Sequence, residues 1–361
     1  TRVIPVLLIV IYFIILLISL SWTENKSEGF DHLGRSIVLL IIPLVLGLGS
    51  NHVYTKQNFN TLLRSFVFGV LVSTIVLWAF AFLYSFSFEG GTVSFDSSVD
   101  KWDSIFFYSN FSFMIHPTYF GMMLLMAAWI VLNQIKKGNI FSKSIFWPIL
   151  MSGYLLSLLY LISSRAMMLA GIFLLVWFAV NWIPNRKNLG LLLLISVGLL
   201  TGIAVMHPRL QYVINRFRIS ESELSYEMIE NLNERGQIWH ASYLLIKHKP
   251  IYGYGIGDVK DTLIGMYDEL EFFEEEGDYL NCHNQFLETW IAVGFIGVIL
   301  LIILLFYPLL NRKVADNPHY IGFLIICLTA FLFESILNRL WGIAFFALFY
   351  TLFAMAIPQK T

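Results

Sequence analysis

Residues 285–309 read QFLETWIAVGFIGVILLIILLFYPL, and this stretch decides the class of fold. A bilayer hydrocarbon core about 30 Å thick requires about 20 apolar residues in a helix, and this stretch meets that requirement. Of all 361 residues, 58% are hydrophobic and only 13% are charged, and the mean hydropathy is +0.72. Soluble proteins are far less apolar. The sequence therefore predicts a membrane protein with several spans.

Ten apolar stretches approach the length of a membrane span. They are continuous rather than alternating, which favours helices over barrel strands. We therefore predict an all-α membrane protein, a polytopic bundle of about ten spans with one long external loop that bears short helices. The chain begins at Thr1 rather than Met, which leaves open a trimmed start with one or more further spans. The predicted spans are 3–21, 36–50, 62–86, 117–133, 145–163, 166–183, 189–206, 285–309, 319–336 and 340–357.

Charge divides the connecting loops into two sets. If the chain alternates across the membrane, basic residues collect on one side, which the positive-inside rule assigns to the cytoplasm together with both termini. The predicted regions are then helices one to seven (1–206), a periplasmic loop (207–284) and helices eight to ten (285–361). A net charge of -1 argues against a nucleic-acid partner. The basic residues are Lys56, Lys136, Lys137, Lys143, Arg186, Lys187, Arg312, Lys313 and Lys360.

The long hydrophilic loop 207–284 contains 14 acidic and 7 basic residues. A loop of this length is usually functional. Within it, Glu234 to His248 has the pattern of a helix that ends before Pro250, with Trp239, Tyr243 and Ile246 on one apolar side. We expect this helix to lie on the membrane surface or to cap the bundle.

Two arginines and a histidine are the first candidates for chemistry. Arg165 lies at a tight outer turn, where it either extends to lipid headgroups or binds a phosphate through its planar set of donors. Arg235 opens the loop helix, and its alternative role is an ordinary ion pair with Glu234 or Glu230. His283 stands where the loop re-enters the membrane, and its imidazole either acts as a base or only bonds a carbonyl.

The remaining polar features have simpler explanations. His116 at the start of the fourth span suits capping or packing, and Glu334 suits an ion pair with Arg339. Glycines 253, 255 and 257 favour a tight turn, with an anion-binding nest as the alternative. We expect Cys282 and Cys327 to be free thiols, and we assign neither a metal nor a cofactor.

Several short motifs occur in a fixed order along the chain. They resemble the O-antigen ligase and O-antigen polymerase superfamily of bacterial inner membranes, over about residues 110–350. The motifs are His116-x-x-Tyr119, Ser164-Arg165, Arg235-x-x-x-Trp239, Pro250-x-x-Gly253-x-Gly255-x-Gly257, and His283-Asn284-x-x-Leu287 followed by Gly294-x-x-Gly297.

The resemblance implies a glycosyltransferase that moves a glycan from an undecaprenyl-pyrophosphate carrier to an acceptor hydroxyl at the periplasmic face. It implies inversion at the anomeric carbon without a metal, and we favour lipid A core as the acceptor. Arg165 and Arg235 would hold the donor pyrophosphate, and His283 would deprotonate or orient the acceptor. Supporting residues would be Asn284, Trp239, Gly253, Gly255, His116, Tyr119, Glu334 and Arg339.

The sequence leaves other functions open. Within the same superfamily, the acceptor could be another lipid-linked repeat unit, as in a polymerase, or a protein side chain, as in an oligosaccharyltransferase. A lipid-linked glycan flippase or other transporter is the alternative from another class, and a membrane scaffold is a further one. Charged residues that cluster at the outer face, rather than at mid-membrane, argue against transport.

Overall fold

A computed structural model describes residues 3–47, 55–89, 92–100, 103–136, 146–182, 234–272 and 281–355. These parts of the chain are mostly helical. In chain order the helices are α1 Val3–Ser19, α2 Lys26–Ser36, α3 Val38–Ile42, α4 Lys56–Ser85, α5 Tyr108–Phe111, α6 Pro117–Lys136, α7 Phe146–Leu161, α8 Arg165–Trp182, α9 Glu234–His248, α10 Val259–Glu269, α11 Gln285–Phe306, α12 Arg312–Ala315, α13 Pro318–Phe333 and α14 Leu340–Tyr350. Short π-helical or 3-10 segments lie at Pro43–Gly47, Tyr307–Leu310, Ile336–Asn338 and Thr351–Met355.

Helix α6 is the centre of the bundle. Almost every side chain from Met122 to Val131 is buried, because α4, α7, α8 and α13 all pack against it. A helix that is apolar on every side belongs in such a core. Trp129 fixes the contact with α13: its Nε1 donates to the Pro318 carbonyl at 2.8 Å, and its ring lies against Gly322 where a Cβ would overlap it.

Among the described residues, three helices are long and apolar enough to cross a membrane, namely Lys26–Gly47, Gln57–Ser85 and Gln285–Leu310. Shorter apolar helices occupy the other predicted spans that fall within these parts of the chain, whereas the predicted span 189–206 lies outside them. Large apolar side chains on α4 remain exposed, as at Phe68 (69%) and Leu83 (78%). Such a surface fits contact with lipid, while a count of ten spans stays a prediction.

Two small β-hairpins show that the all-α prediction was too simple. Strands β1 (Phe86–Glu89) and β2 (Thr92–Phe95) pair antiparallel directly after α4, and β3 (Ser98–Asp100) pairs with β4 (Asp103–Ser104). Strands of two to four residues are too short to give a clear alternating pattern. Phe86 and Phe95 are paired across the first hairpin, and their rings are in contact. This aromatic pair directly follows the last residue of α4.

Helix α9 has the bounds that the sequence predicted, but a different face is buried. Ile238, Ala241, Ser242 and Leu245 have almost no exposed surface, and this side packs on α11. Of the three residues predicted on one apolar side, Ile246 is buried and Tyr243 is 59% exposed, so the structure does not bury them together. Both sets have helical spacing, so the spacing alone did not decide which side of the helix is buried.

Candidate active site

His283 lies immediately before α11 in an unusual backbone conformation. Its φ angle is +44°, in the left-handed region that a residue other than glycine seldom adopts. The Asn281 Oδ1 accepts the His283 N–H at 2.9 Å, and Asn284 caps the helix by accepting the N–H groups of Phe286 and Leu287. Strained residues of this kind are concentrated at functional sites.

The His283 side chain pairs with a residue from another element. Its Nδ1 lies 3.1 Å from Glu334 Oε1, just beyond the end of α13. The ion pair predicted between Glu334 and Arg339 is therefore wrong, since Glu334 contacts His283 instead. Both Glu334 and Arg339 have extended backbone, on either side of the 3-10 segment Ile336–Asn338, so the one-turn helical spacing assumed for the ion pair does not exist.

The charge state of Glu334 defines the role of the histidine. Burial alone would raise the pKa of the Glu334 carboxyl, but the hydrogen bond and charge of His283, with smaller contributions from His116 and Arg235, hold that pKa below its ordinary value. An ionised carboxylate only accepts hydrogen bonds. A neutral His283 that donates from Nδ1 to this carboxylate would keep its lone pair on Nε2. Such a ring can accept a proton from a substrate.

His116 and Arg235 belong to the same electrostatic environment. Burial lowers the pKa of His116, and the charges of Glu334, Arg339, His283 and Arg235 all act on it. The His116 ring packs edge-on against Tyr119, with the ring centroids 5.8 Å apart. The structure thus groups four of the predicted residues around His283, namely Glu334, His116, Arg235 and Arg339.

Arg165 is the first residue of α8. Its side chain is exposed. Two residues later, Met167 packs on Gly121 so closely that a Cβ added to Gly121 would lie 2.8 Å from Met167 Cγ. Gly121 is in the first turns of α6, so Arg165 lies at the end of the bundle where His116 begins that helix. The neighbouring Ser164 hydroxyl is buried and has no hydrogen-bond partner within the described part of the chain. A buried polar atom without a partner is a candidate contact for a ligand.

Gly253 and Gly255 are structural, contrary to the alternative of an anion-binding nest. Helix α11 is broken at Gly294, whose φ is +71°. The carbonyls of Ile291 and Ala292 are freed there, and they accept the N–H groups of Tyr254 (2.7 Å) and Gly255 (2.9 Å). These N–H groups are thereby used within the protein.

Space explains why this loop needs glycine. A Cβ at Gly253 would overlap the Ile291 carbonyl, and one at Gly255 would overlap Thr23. Both glycines also have positive φ angles, 67° and 108°. We call residues 250–258 the glycine loop; it closes onto the kink of α11 and onto the turn after α1.

Two other predicted supporting residues have structural partners. The Trp239 Nε1 donates to the Cys282 carbonyl at 3.1 Å, and Asn284 Nδ2 reaches the Leu332 carbonyl at 3.3 Å. Each holds the chain next to His283. Both cysteines are free and buried, as expected.

Glu288 was missed by the sequence reasoning. Its carboxyl is buried in the first turn of α11 and bonds to Cys282, Ser335 and Asn338. The signal that could have found it was an ionisable residue one turn inside an apolar span, where such groups are costly.

Part of the chain matches a known protein family. Residues 150–302 match the O-antigen ligase family. The matched region contains Arg165, Arg235, the glycine loop and His283, so the resemblance inferred from the motifs is confirmed there. His116 and Glu334, which the fold brings to His283, lie outside it.

Two proteins share part of the sequence. An uncharacterised protein of Haemophilus influenzae is 23% identical over 153 residues, which cover 41% of this chain and 38% of that protein. A protein of Rickettsia conorii named “Putative polysaccharide ligase” is 28% identical over 129 residues, covering 35% of this chain and 31% of that protein. The chain thus matches about a third of the length of these relatives.

Proposed function

We propose that this protein transfers a glycan from an undecaprenyl-pyrophosphate carrier to an acceptor hydroxyl at the periplasmic face of the inner membrane, with lipid A core as the acceptor. The His283–Glu334 pair is the observation that carries the proposal. It would supply a base whose tautomer is set by a buried carboxylate, within the electrostatic reach of Arg235. The match to the O-antigen ligase family supports a transferase acting on polysaccharide.

The chemistry proceeds by one displacement. The acceptor hydroxyl gives its proton to His283 Nε2 as its oxygen bonds to the anomeric carbon of the glycan. The bond from that carbon to the pyrophosphate oxygen breaks, and the lipid pyrophosphate departs with the electron pair. Attack opposite the leaving group inverts the configuration. Arg165 and Arg235 would stabilise the negative charge that grows on the pyrophosphate, which is where fixed donors contribute most.

The test is the variant His283→Ala, expressed in the source bacterium in place of the native protein. General-base catalysis typically contributes about 10²- to 10⁴-fold, so transfer should fall to near background while the protein still reaches the membrane. His248→Ala, on the exposed last turn of α9, is the matched control and should act like wild type. Lipid-linked and surface glycans are then analysed by gel electrophoresis and mass spectrometry.

Each outcome has a distinct meaning. Full-length polymer left on the carrier, together with bare lipid A core, is the expected result. Single repeat units left on the carrier would show a polymerase instead, and a glycan missing from a periplasmic protein would show an oligosaccharyltransferase. Unchanged glycans in His283→Ala would overturn the catalytic role. Lipid-linked material trapped at the cytoplasmic face would identify a transporter.

A further inference from the structure

Glu288 is a buried carboxyl group that accepts three hydrogen bonds in the first turn of α11. Only 7% of the residue is exposed. Oε2 accepts the Cys282 N–H at 3.2 Å and the Ser335 hydroxyl at 3.1 Å, and Oε1 accepts the Asn338 amide at 2.6 Å. All three partners are donors, so a group that accepts on both oxygens satisfies them together.

These donors come from the two segments that carry the site. Cys282 directly precedes His283, and Ser335 directly follows Glu334, although 51 residues separate His283 from Glu334 in sequence. One carboxyl group therefore joins the two backbone segments on which the His283–Glu334 distance depends. The network continues through Asn338, whose Oδ1 lies 3.3 Å from His32 Nε2 on α2.

The Cys282 peptide is held from both sides. Its N–H bonds to Glu288, and its carbonyl accepts the Trp239 Nε1 at 3.1 Å. The next residue is His283, with its φ of +44°. A conformation of this kind persists only where the surroundings determine it. Without Glu288 the backbone at Cys282 would lose one of its two anchors, and Ser335 would lose its tie to the same segment.

We infer that Glu288 is a positioning residue, which acts by holding His283 and Glu334 in register rather than by touching substrate. This inference rests on the proposed function, because it assigns Glu288 a role in the same transfer. It also explains why a carboxyl group is retained inside an apolar helix, where it is costly.

The test compares two replacements of similar size. Glu288→Gln keeps one oxygen that accepts from Cys282 and Ser335. The Asn338 amide can turn so that its oxygen accepts a hydrogen bond from the new NH₂ group. We expect kcat within about 3-fold of wild type, as hydrogen bonding is preserved. Glu288→Leu removes all three bonds. A displacement of about 1 Å can cost about 10²-fold, so kcat should fall about 10- to 100-fold with KM for the donor unchanged.

The assay uses the full chain purified in detergent, with undecaprenyl-pyrophosphate-linked glycan as donor and polymer-free lipopolysaccharide as acceptor. Thr329→Val is the matched control, because Thr329 is also buried and polar but its hydroxyl bonds within its own helix, to the Ile325 carbonyl. It should leave kcat unchanged. Thermal unfolding of every variant separates a loss of rate from a loss of folded protein.

Three results would overturn the inference. Glycan transfer by Glu288→Leu as fast as by Thr329→Val would show that Glu288 positions nothing. A loss of rate in Glu288→Gln as large as in Glu288→Leu would mean that charge, and not position, matters. If Glu288→Leu fails to reach the membrane, the variants Ser335→Ala and Asn338→Ala replace it, because each removes one hydrogen-bond donor to Glu288. We expect kcat to fall about 3- to 10-fold in each. Wild-type kcat in both variants would overturn the inference.

His283→Ala keeps this test separate from the proposed function. A fully active His283→Ala would refute the proposed base whatever Glu288 does. An inactive His283→Ala beside an unaffected Glu288→Leu would refute the positioning role alone.

Discussion

The start of α11 and its kink use polar groups in opposite ways. At its start, the His283 side chain is 20% exposed and pairs with Glu334 through Nδ1, which leaves Nε2 without a partner among the residues that the structure describes. At its kink, the freed carbonyls of Ile291 and Ala292 are occupied by the glycine loop. The first arrangement leaves a polar atom for the substrate proposed above, whereas the second uses its polar atoms for architecture. A sequence motif can therefore mark either chemistry or a joint between elements.

Changes around the start of α11 should reduce the rate strongly with only a small loss of stability, and Glu334→Gln should have the largest effect. A neutral amide no longer stabilises the protonated imidazole and no longer fixes the Nδ1–H tautomer. We expect kcat to fall about 10²- to 10³-fold, with about 1 kcal/mol lost in the free energy of unfolding at neutral pH because the amide still bonds to His283. Transfer kinetics and thermal unfolding measure the two effects, and a rate within about 3-fold of wild type would contradict the pairing.

Changes at the kink should have the reverse signature. Gly294→Ala forces a residue with a Cβ into φ +71°, and that Cβ would overlap the Ile251 carbonyl. We expect a loss on the order of 3 kcal/mol in the free energy of unfolding, with kcat per folded molecule close to wild type. Gly265→Ala is the control, since nothing lies within 4 Å of a Cβ there. Equal melting temperatures for the two variants would show that the kink needs no glycine.

The glycine loop is also attached to the turn after α1, and this attachment can be weakened separately. Asp258 accepts the N–H groups of Glu24 and Asn25, both at 2.7 Å. Asp258→Asn replaces one acceptor by an NH₂ donor that faces a donor. We expect a loss of about 1 to 3 kcal/mol in the free energy of unfolding, and activity per folded molecule should not change. Thermal unfolding checks this, with the exposed Asp268→Asn as the control.

The sequence predicted helix positions well because continuous apolar runs are local signals. Each predicted span within the described residues coincides with an apolar helix. The motifs also directed attention to His283, Arg165 and Arg235. The pairing of His283 with Glu334 was not predictable in this way, because it depends on how α11 and α13 pack.

Two gaps in the prediction have the same origin. The tight turn predicted for the glycines of the loop is confirmed, but the sequence did not show what the loop packs against, which is a broken helix. Glu288 was overlooked because a single carboxyl group does not change an apolar run. In both cases the deciding partner is distant in sequence, and for Glu288 the donors of Ser335 and Asn338 come from beyond the end of α13.

A smaller effect of Glu334, on stability, is present at neutral pH and is lost in acid. Its pKa is held below the ordinary value, chiefly because His283, His116 and Arg235 outweigh burial. A carboxyl group with a lowered pKa adds stability above its unfolded pKa of about 4.3, and that stability is lost as pH falls through the folded pKa. The difference in melting temperature between wild type and Glu334→Gln should therefore shrink from pH 7 to about pH 3. A constant difference would contradict the lowered pKa.

Trp239 provides the finest test, because it belongs to α9 but acts at the start of α11. Trp239→Phe keeps most of the ring packing and removes the hydrogen bond to the Cys282 carbonyl. The free energy of unfolding should fall by about 1 kcal/mol, as for one hydrogen bond. Because this bond also anchors the segment that carries His283, kcat should fall several-fold. Trp290→Phe is the control, since it loses the bond to the Pro250 carbonyl at the kink. It should lose similar stability and keep its kcat. Equal rates in the two variants would place Trp239 with the architecture of the kink rather than with the site.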